Sequence, residues 1–126
     1  VNARQALAAV GLAARADPVA GRLSHGEQRQ LEIAMSLAAA PEVLLLDEPL
    51  AGMGTEESSN MVELIGTLGA NHAILLVEHD MDAVFRLAQV LTVMVNGRIL
   101  ASGTPEEIRA NPEVQRAYLG SADEAL

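Results

Sequence analysis

Two adjacent carboxylates, Asp47 and Glu48, follow the apolar run Val43-Leu44-Leu45-Leu46 and precede Pro49. A second apolar run, Ala73-Ile74-Leu75-Leu76-Val77, ends in Glu78-His79-Asp80. In open parallel sheets, ligands bind beyond the carboxyl ends of the strands, so chemistry would sit at these positions. Packing alone also puts polar residues there. The doubled acid points further: two neighbouring carboxylates repel, and a bound cation relieves that cost. One carboxylate suits Mg²⁺, commonly alongside water and substrate phosphate. The other can orient or deprotonate a water. His79 taken alone reads first as a structural residue, as a lone histidine after a strand usually is.

Leu23-Ser24-His25-Gly26-Glu27-Gln28 is the second candidate. Ser24 and Glu27 have the S-x-x-E spacing of a capping box, which supports a plain helix start. The same helix start offers free N–H groups and a positive dipole end, with Gly26 permitting close backbone approach. Those are the ingredients of an anion site. Glu27 argues against a phosphate there unless it faces away, so both readings stand on spacing alone. His25, His72 and His79 lack metal-ligand spacing, and no H-E-x-x-H or G-x-S-x-G pattern occurs.

The elements that must position these groups follow from periodicity. Residues 2–15 are alanine-rich and helical in character, with Leu7, Val10 and Ala14 on one side. Pro18 and Gly21 punctuate a connector. From Ser24 a helix runs with Leu31, Ala34, Met35 and Ala38 on one face, and Pro41 stops it. The runs at 43–46 and 73–77 suit strands buried on both faces, as in a parallel sheet. Between them Thr55 can cap a helix whose stripe is Met61, Leu64, Ile65 and Leu68, with Gly69 at its end. Met81, Val84, Phe85 and Ala88 mark a short helix. Met35, Met61 and Met81 are all expected in the core. Asn96-Gly97 between apolar runs at 90–95 and 98–102 is a hairpin signal, because both turn positions accept positive φ. Thr104-Pro105 and Asn111-Pro112 start further helices. Gly120 is expected to end the last one, and residues 121–126 are expected to form a flexible tail. Strands alternating with helices imply an α/β layered fold.

The 126 residues carry 8 basic and 17 acidic side chains, a formal net charge of −9. All the basic residues are arginines, scattered without a basic run, so a nucleic-acid surface is disfavoured. With no cysteine, disulfides, redox thiols and Cys-ligated zinc are excluded, and a reducing compartment is expected. No apolar run approaches the roughly 20 residues that span a bilayer. No basic stretch followed by an apolar core marks a signal peptide. The missing lysine excludes any mechanism needing a catalytic or phosphate-binding lysine within the chain.

Taken in order, these segments resemble the C-terminal portion of the nucleotide-binding subunit of an ATP-binding cassette (ABC) transporter. Leu23-Ser24-His25-Gly26-Glu27-Gln28 is similar to the family's signature motif, usually L-S-G-G-Q. Val43-Leu44-Leu45-Leu46-Asp47-Glu48-Pro49 resembles the Walker B strand. Residues 50–54 occupy the D-loop position, and His79 matches the switch histidine. Residues 23–35, 47–54, 77–85 and 117–120 are most similar to cassettes of branched-chain amino acid and urea importers.

The resemblance implies an α/β fold that is part of a P-loop NTPase (ABC ATPase) domain. Parallel strands flanked by helices would be followed by a C-terminal β-hairpin and helices. Residues 1–22 would end the helical subdomain, and 23–120 would form the C-terminal part of the ATPase core. By position, Asp47 would hold Mg²⁺ and Glu48 would be the general base. His79 would contact the γ-phosphate and link it to the opposite subunit. Ser24-His25-Gly26-Glu27-Gln28 would close on ATP held by a second ATP-binding subunit in a head-to-tail dimer, with residues 50–54 crossing the interface. Transmembrane permease subunits would be the other partners, at the inner face of the cell membrane. The implied protein couples ATP hydrolysis to solute uptake.

Departures from the pattern bear on this. His25 stands where the family commonly has its first Gly, Glu27 stands before Gln28, and Gly54-Thr55 replace the D-loop's usual Asp before Pro. A phosphate-cradling G-x-x-x-x-G-K-[ST] loop needs a lysine, and none exists here. The chain therefore reads as a partial cassette lacking the N-terminal P-loop half, expected to bind ATP weakly or not at all. Its uncovered sheet edge is expected to promote self-association. Alternatives are a non-transport ATPase with the same motifs, disfavoured by acidic charge, and a non-catalytic interaction module. A phospho-acceptor receiver domain would need a lysine.

Overall fold

In the computed structural model, residues 1–119 are described, and the chain divides into two units between Asp80 and Met81. The helix end expected at Gly120 and the tail expected at 121–126 lie outside the described residues.

The first unit opens with α1 (Ala3–Ala9), started by an Asn2–Gln5 capping box. The helix is shorter than its alanine content suggests. Gly11 takes φ +80, Gly11 N–H donates to the Ala8 carbonyl, and Leu12 N–H donates to the Leu7 carbonyl. That is a Schellman termination, which a left-handed glycine permits. Ala6, Val10 and Leu12 are buried, whereas Ala14 is exposed in the 3₁₀ turn Ala13–Arg15 that follows. The expected stripe through Ala14 is thus corrected, because the chain leaves the helix before reaching it.

Helix α2 (His25–Leu37) begins at Ser24 with the full capping box. Its buried residues are Gly26, Ile33, Ala34 and Leu37, while Met35 is 68% exposed. The inward face is rotated from the one expected, and Met35 does not belong to the core. Strand β1 (Val43–Asp47) pairs in parallel with β2 (Ala73–Val77), in register from Val43 opposite Ala73 to Asp47 opposite Val77. Helix α3 (Thr55–Leu68) crosses between them, with Met61, Val62, Ile65 and Leu68 buried. Its N-cap is Gly54 without a side-chain hydrogen bond, so Thr55 is the first helical residue rather than the cap.

Leu44 and Leu46 are buried, but Val43, Leu45, Leu75 and Val77 are each more than half exposed. The strands were expected to be covered on both faces. Among the described residues the parallel sheet has two strands, and no element covers its odd-numbered face.

In the second unit, α4 (Met81–Leu87) precedes the antiparallel pair β3 (Leu91–Val95) and β4 (Arg98–Gly103). Asn96 and Gly97 turn the hairpin with φ +51 and +76, the geometry their types predict. Asn111 caps α6 (Pro112–Val114) just after α5 (Pro105–Ala110), and a π turn, Gln115–Leu119, ends the described chain. Leu91, Val93, Ile108 and Val114 form the core, with Val84, Phe85 and Ala88 packed against it. Met81 is half-buried. Arg109 lies 4.4 Å above the Phe85 ring.

Candidate active site at the strand ends

The carboxyl ends of β1 and β2 lie side by side because the strands are parallel and in register. Glu48 follows β1 immediately, yet it abandons the extended backbone and takes φ +47. A glutamate in the left-handed region carries a cost of about 1–2 kcal/mol, so surrounding contacts must hold it there. Its N–H donates to the Val77 carbonyl at 2.7 Å, and its carbonyl accepts from Ala51 N–H at 3.1 Å. The bend turns the side chain across to the neighbouring strand end. There His79 Nδ1 lies 3.1 Å from Glu48 Oε1. A carboxylate can only accept, so Nδ1 is the donor and Nε2 takes no part in this contact. Both side chains are well exposed, and a ligand can reach them.

Asp47 is exposed and lines a shallow cavity of about 150 Å³, shared with Arg29, Glu32, Ser36 and Pro49. Among the described residues no group of three metal-ligating side chains exists, so nothing here resembles a closed metal cage. A single exposed carboxylate suits a cation that brings water and phosphate as its other ligands, which is the habit of Mg²⁺.

The helix start at Ser24 is built chiefly by its own side chains. Ser24 Oγ accepts from Glu27 N–H at 3.2 Å, and Glu27 Oε1 accepts from Ser24 N–H at 3.0 Å. The other Glu27 oxygen pairs with Arg15 Nε at 2.9 Å. The Ser24 backbone donor, with Arg15 adding to it, holds the Glu27 carboxyl below its ordinary value. Glu27 is thereby drawn toward Arg15, an ion pair across 12 residues that spacing could not reveal. Gln28 donates its amide to the Ala20 and Leu23 carbonyls and so secures the preceding turn. Gly26 is buried, and a Cβ there would come 3.1 Å from Glu57 Oε2.

His25 reaches out of this helix start and donates from Nε2 to the Ala51 carbonyl at 2.9 Å. It joins the helix start to the loop that leaves Glu48. Gly52 in that loop has φ +76, and a Cβ on it would lie 3.0 Å from His25 Nε2. Gly52→Ala therefore incurs both backbone strain, about 1–2 kcal/mol, and displacement of the imidazole. Denaturant titration should show that loss. Adding His25→Ala should remove the collision, so that the double variant is less destabilised than the two losses summed.

Sequence reasoning left Glu78 without a role. Its side chain is only 1% exposed, although its main chain leaves the residue half-buried. It accepts from Leu50 N–H at 3.2 Å and from His79 N–H at 3.0 Å. A glutamate directly after a fully apolar strand was the available signal.

Residues 1–51 match the family model described as ABC transporter, and residues 98–124 match that of the branched-chain amino acid ATP-binding cassette transporter. The chain is 48% identical over 115 residues to the high-affinity branched-chain amino acid transport ATP-binding protein LivG of Salmonella typhimurium. That alignment covers 90% of this chain and 45% of LivG. The chain belongs to the ABC transporter ATP-binding family. BraF of Pseudomonas aeruginosa, a protein of the same description, is 44% identical over the same length. Among solved structures, an ATP-binding cassette of an ABC transporter in its ADP conformation superposes with a TM-score of 0.83 at 29% identity. It is matched over 94% of this chain and 48% of its own. The fold is that of the ABC ATPase, α/β with parallel and antiparallel strands. This ABC chain spans about half the length of the curated relatives it matches.

Proposed function

We propose that this chain supplies the water-activating and signature segments of an ATP-hydrolysing subunit that drives import of branched-chain amino acids or a related small solute. The observation that carries the reading is the Glu48–His79 hydrogen bond beside Asp47. Glu48 accepts the proton of the attacking water. Asp47 would hold Mg²⁺, and the ion would supply neutralisation of phosphate charge. His79, fixed through Nδ1, turns Nε2 toward the γ-phosphate and ties it to the opposite subunit. Ser24, His25, Gly26, Glu27 and Gln28 form the segment that closes on ATP held by a second copy, with N–H groups and the dipole of α2 facing the anion. Glu27 does not oppose the phosphate because Arg15 engages it.

In the proposed assembly, two such subunits pair head to tail beneath permease subunits at the inner face of the membrane. No described helix is long and apolar enough to cross a membrane. Residues 1–22 correspond to the end of the helical subdomain, and residues 23–120 to the C-terminal part of the ATPase core.

Since the chain has no lysine, ATP should bind it weakly or not at all, and it should not turn ATP over. Calorimetry with Mg²⁺-ATP checks this, and tight binding would contradict it. Fused to a P-loop-bearing N-terminal half, the chain should support Mg²⁺-dependent ATP hydrolysis. A folded fusion that binds ATP but never turns it over would remove the proposal. Among the described residues the face bearing Val43, Leu45, Leu75 and Val77 is open and the outer strand edges are unpaired, which should drive self-association of the chain alone. Light scattering should show species heavier than a monomer that lighten in Leu45→Glu. A clean monomer at high concentration refutes this.

A further inference from the structure

We propose that Glu78 is the positioning residue that sets the geometry of the Glu48–His79 pair and couples the loop after Glu48 to the loop of His79. The proposal rests on the reading of Glu48 and His79 as the reacting pair. Four distances carry it. Glu78 Oε2 accepts from Leu50 N–H at 3.2 Å, across 28 residues. Glu78 Oε1 accepts from His79 N–H at 3.0 Å. The same Oε1 lies 3.6 Å from His79 Nδ1, which donates to Glu48 Oε1 at 3.1 Å.

One buried carboxylate thus grips the backbone on both sides of the site. Leu50 is two residues beyond Glu48 and is itself buried. Fixing its N–H fixes the end of the left-handed bend that aims Glu48. Fixing His79 N–H sets where the imidazole starts. A side chain 1% exposed has little water to bond instead, so its oxygens depend on these donors. It also presents a second acceptor near Nδ1, which favours the tautomer with Nδ1 as donor. Movement of residues 50–54 then reaches His79 through Glu78, a route separate from the direct Glu48–His79 contact.

Glu78→Gln is the informative variant. An amide offers one acceptor oxygen and an NH₂ where the carboxylate offered two oxygens. One of the two backbone donors must lose its partner. In the 126-residue chain, amide exchange at Leu50 or His79 should quicken at least tenfold, while Leu44 and Leu46 amides hold steady. Nitrogen spectra of the His79 ring should show a changed tautomer ratio. In the cassette completed with a P-loop half, kcat should fall at least tenfold with KM for ATP little changed. Glu78→Asp, which keeps the charge, should recover part of that loss.

Unchanged exchange at both amides together with unchanged ring signals would overturn the proposal. So would equal acceleration of every amide in the unit, which marks mere destabilisation. If Glu78→Gln does not fold, the unsubstituted chain still decides: scalar couplings across the hydrogen bonds, from Leu50 and His79 nitrogens to the Glu78 carboxyl carbon, support the brace, and their absence ends it. These readings need no ATP. Failure of the reacting-pair reading shows separately, as full turnover in Glu48→Gln.

Discussion

Glu48→Gln should lower ATP turnover by about 10²–10⁴-fold in the cassette completed with a P-loop half, the usual worth of a general base. Glutamine preserves the shape of the side chain. Its amide oxygen can still accept from His79 Nδ1, so the contact seen at 3.1 Å can persist. The left-handed backbone at 48 makes no demand on the side-chain terminus. What the amide cannot do is accept a proton from water near neutral pH. The loss should therefore fall on the rate of phosphate release at saturating ATP, with nucleotide affinity nearly unchanged. His79→Ala should behave differently, because it removes the contact that aims Glu48 as well as the group proposed to meet the γ-phosphate. A Glu48→Gln cassette turning over within tenfold of the parent would show that another group activates the water.

Ile108→Ala should destabilise the second unit by about 2–5 kcal/mol, the range for such truncations in a packed core. Ile108 is 1% exposed, and among the described residues three other side chains, Leu91, Val93 and Val114, are buried with it in that cluster. So small a core has little reserve, since short chains bury a smaller share of their surface. At the low end of the range, amide exchange in β3 and β4 should accelerate about 30-fold, as each 1.4 kcal/mol is tenfold. Exchange rates below threefold of the parent would mean that the cluster does not hold the hairpin.

Much of the fold is local chemistry that the sequence carries by itself. Ser24 and Glu27 cap α2 because both partners lie within one turn. Asn96-Gly97 turns a hairpin because both residues tolerate positive φ. Met61, Ile65 and Leu68 of the α3 stripe are buried as their period requires, while Leu64 is half-buried and Val62 takes the fourth place. The motif order at 23–28, 43–49 and 77–80 pointed to the family, and the relatives bear that out. Other features needed the chain folded. Periodicity identifies an apolar face without saying what lies over it, so it predicts an interior place for Met35 and the outer face of β1 and β2 that they do not occupy. Hydrogen bonds have no signature in sequence when their partners are far apart. His25 to Ala51 spans 26 residues, Leu50 to Glu78 spans 28, and Glu48 to His79 spans 31. The left-handed bend at Glu48 belongs with them, because only contacts with the neighbouring strand end hold a glutamate in a conformation its own sterics resist.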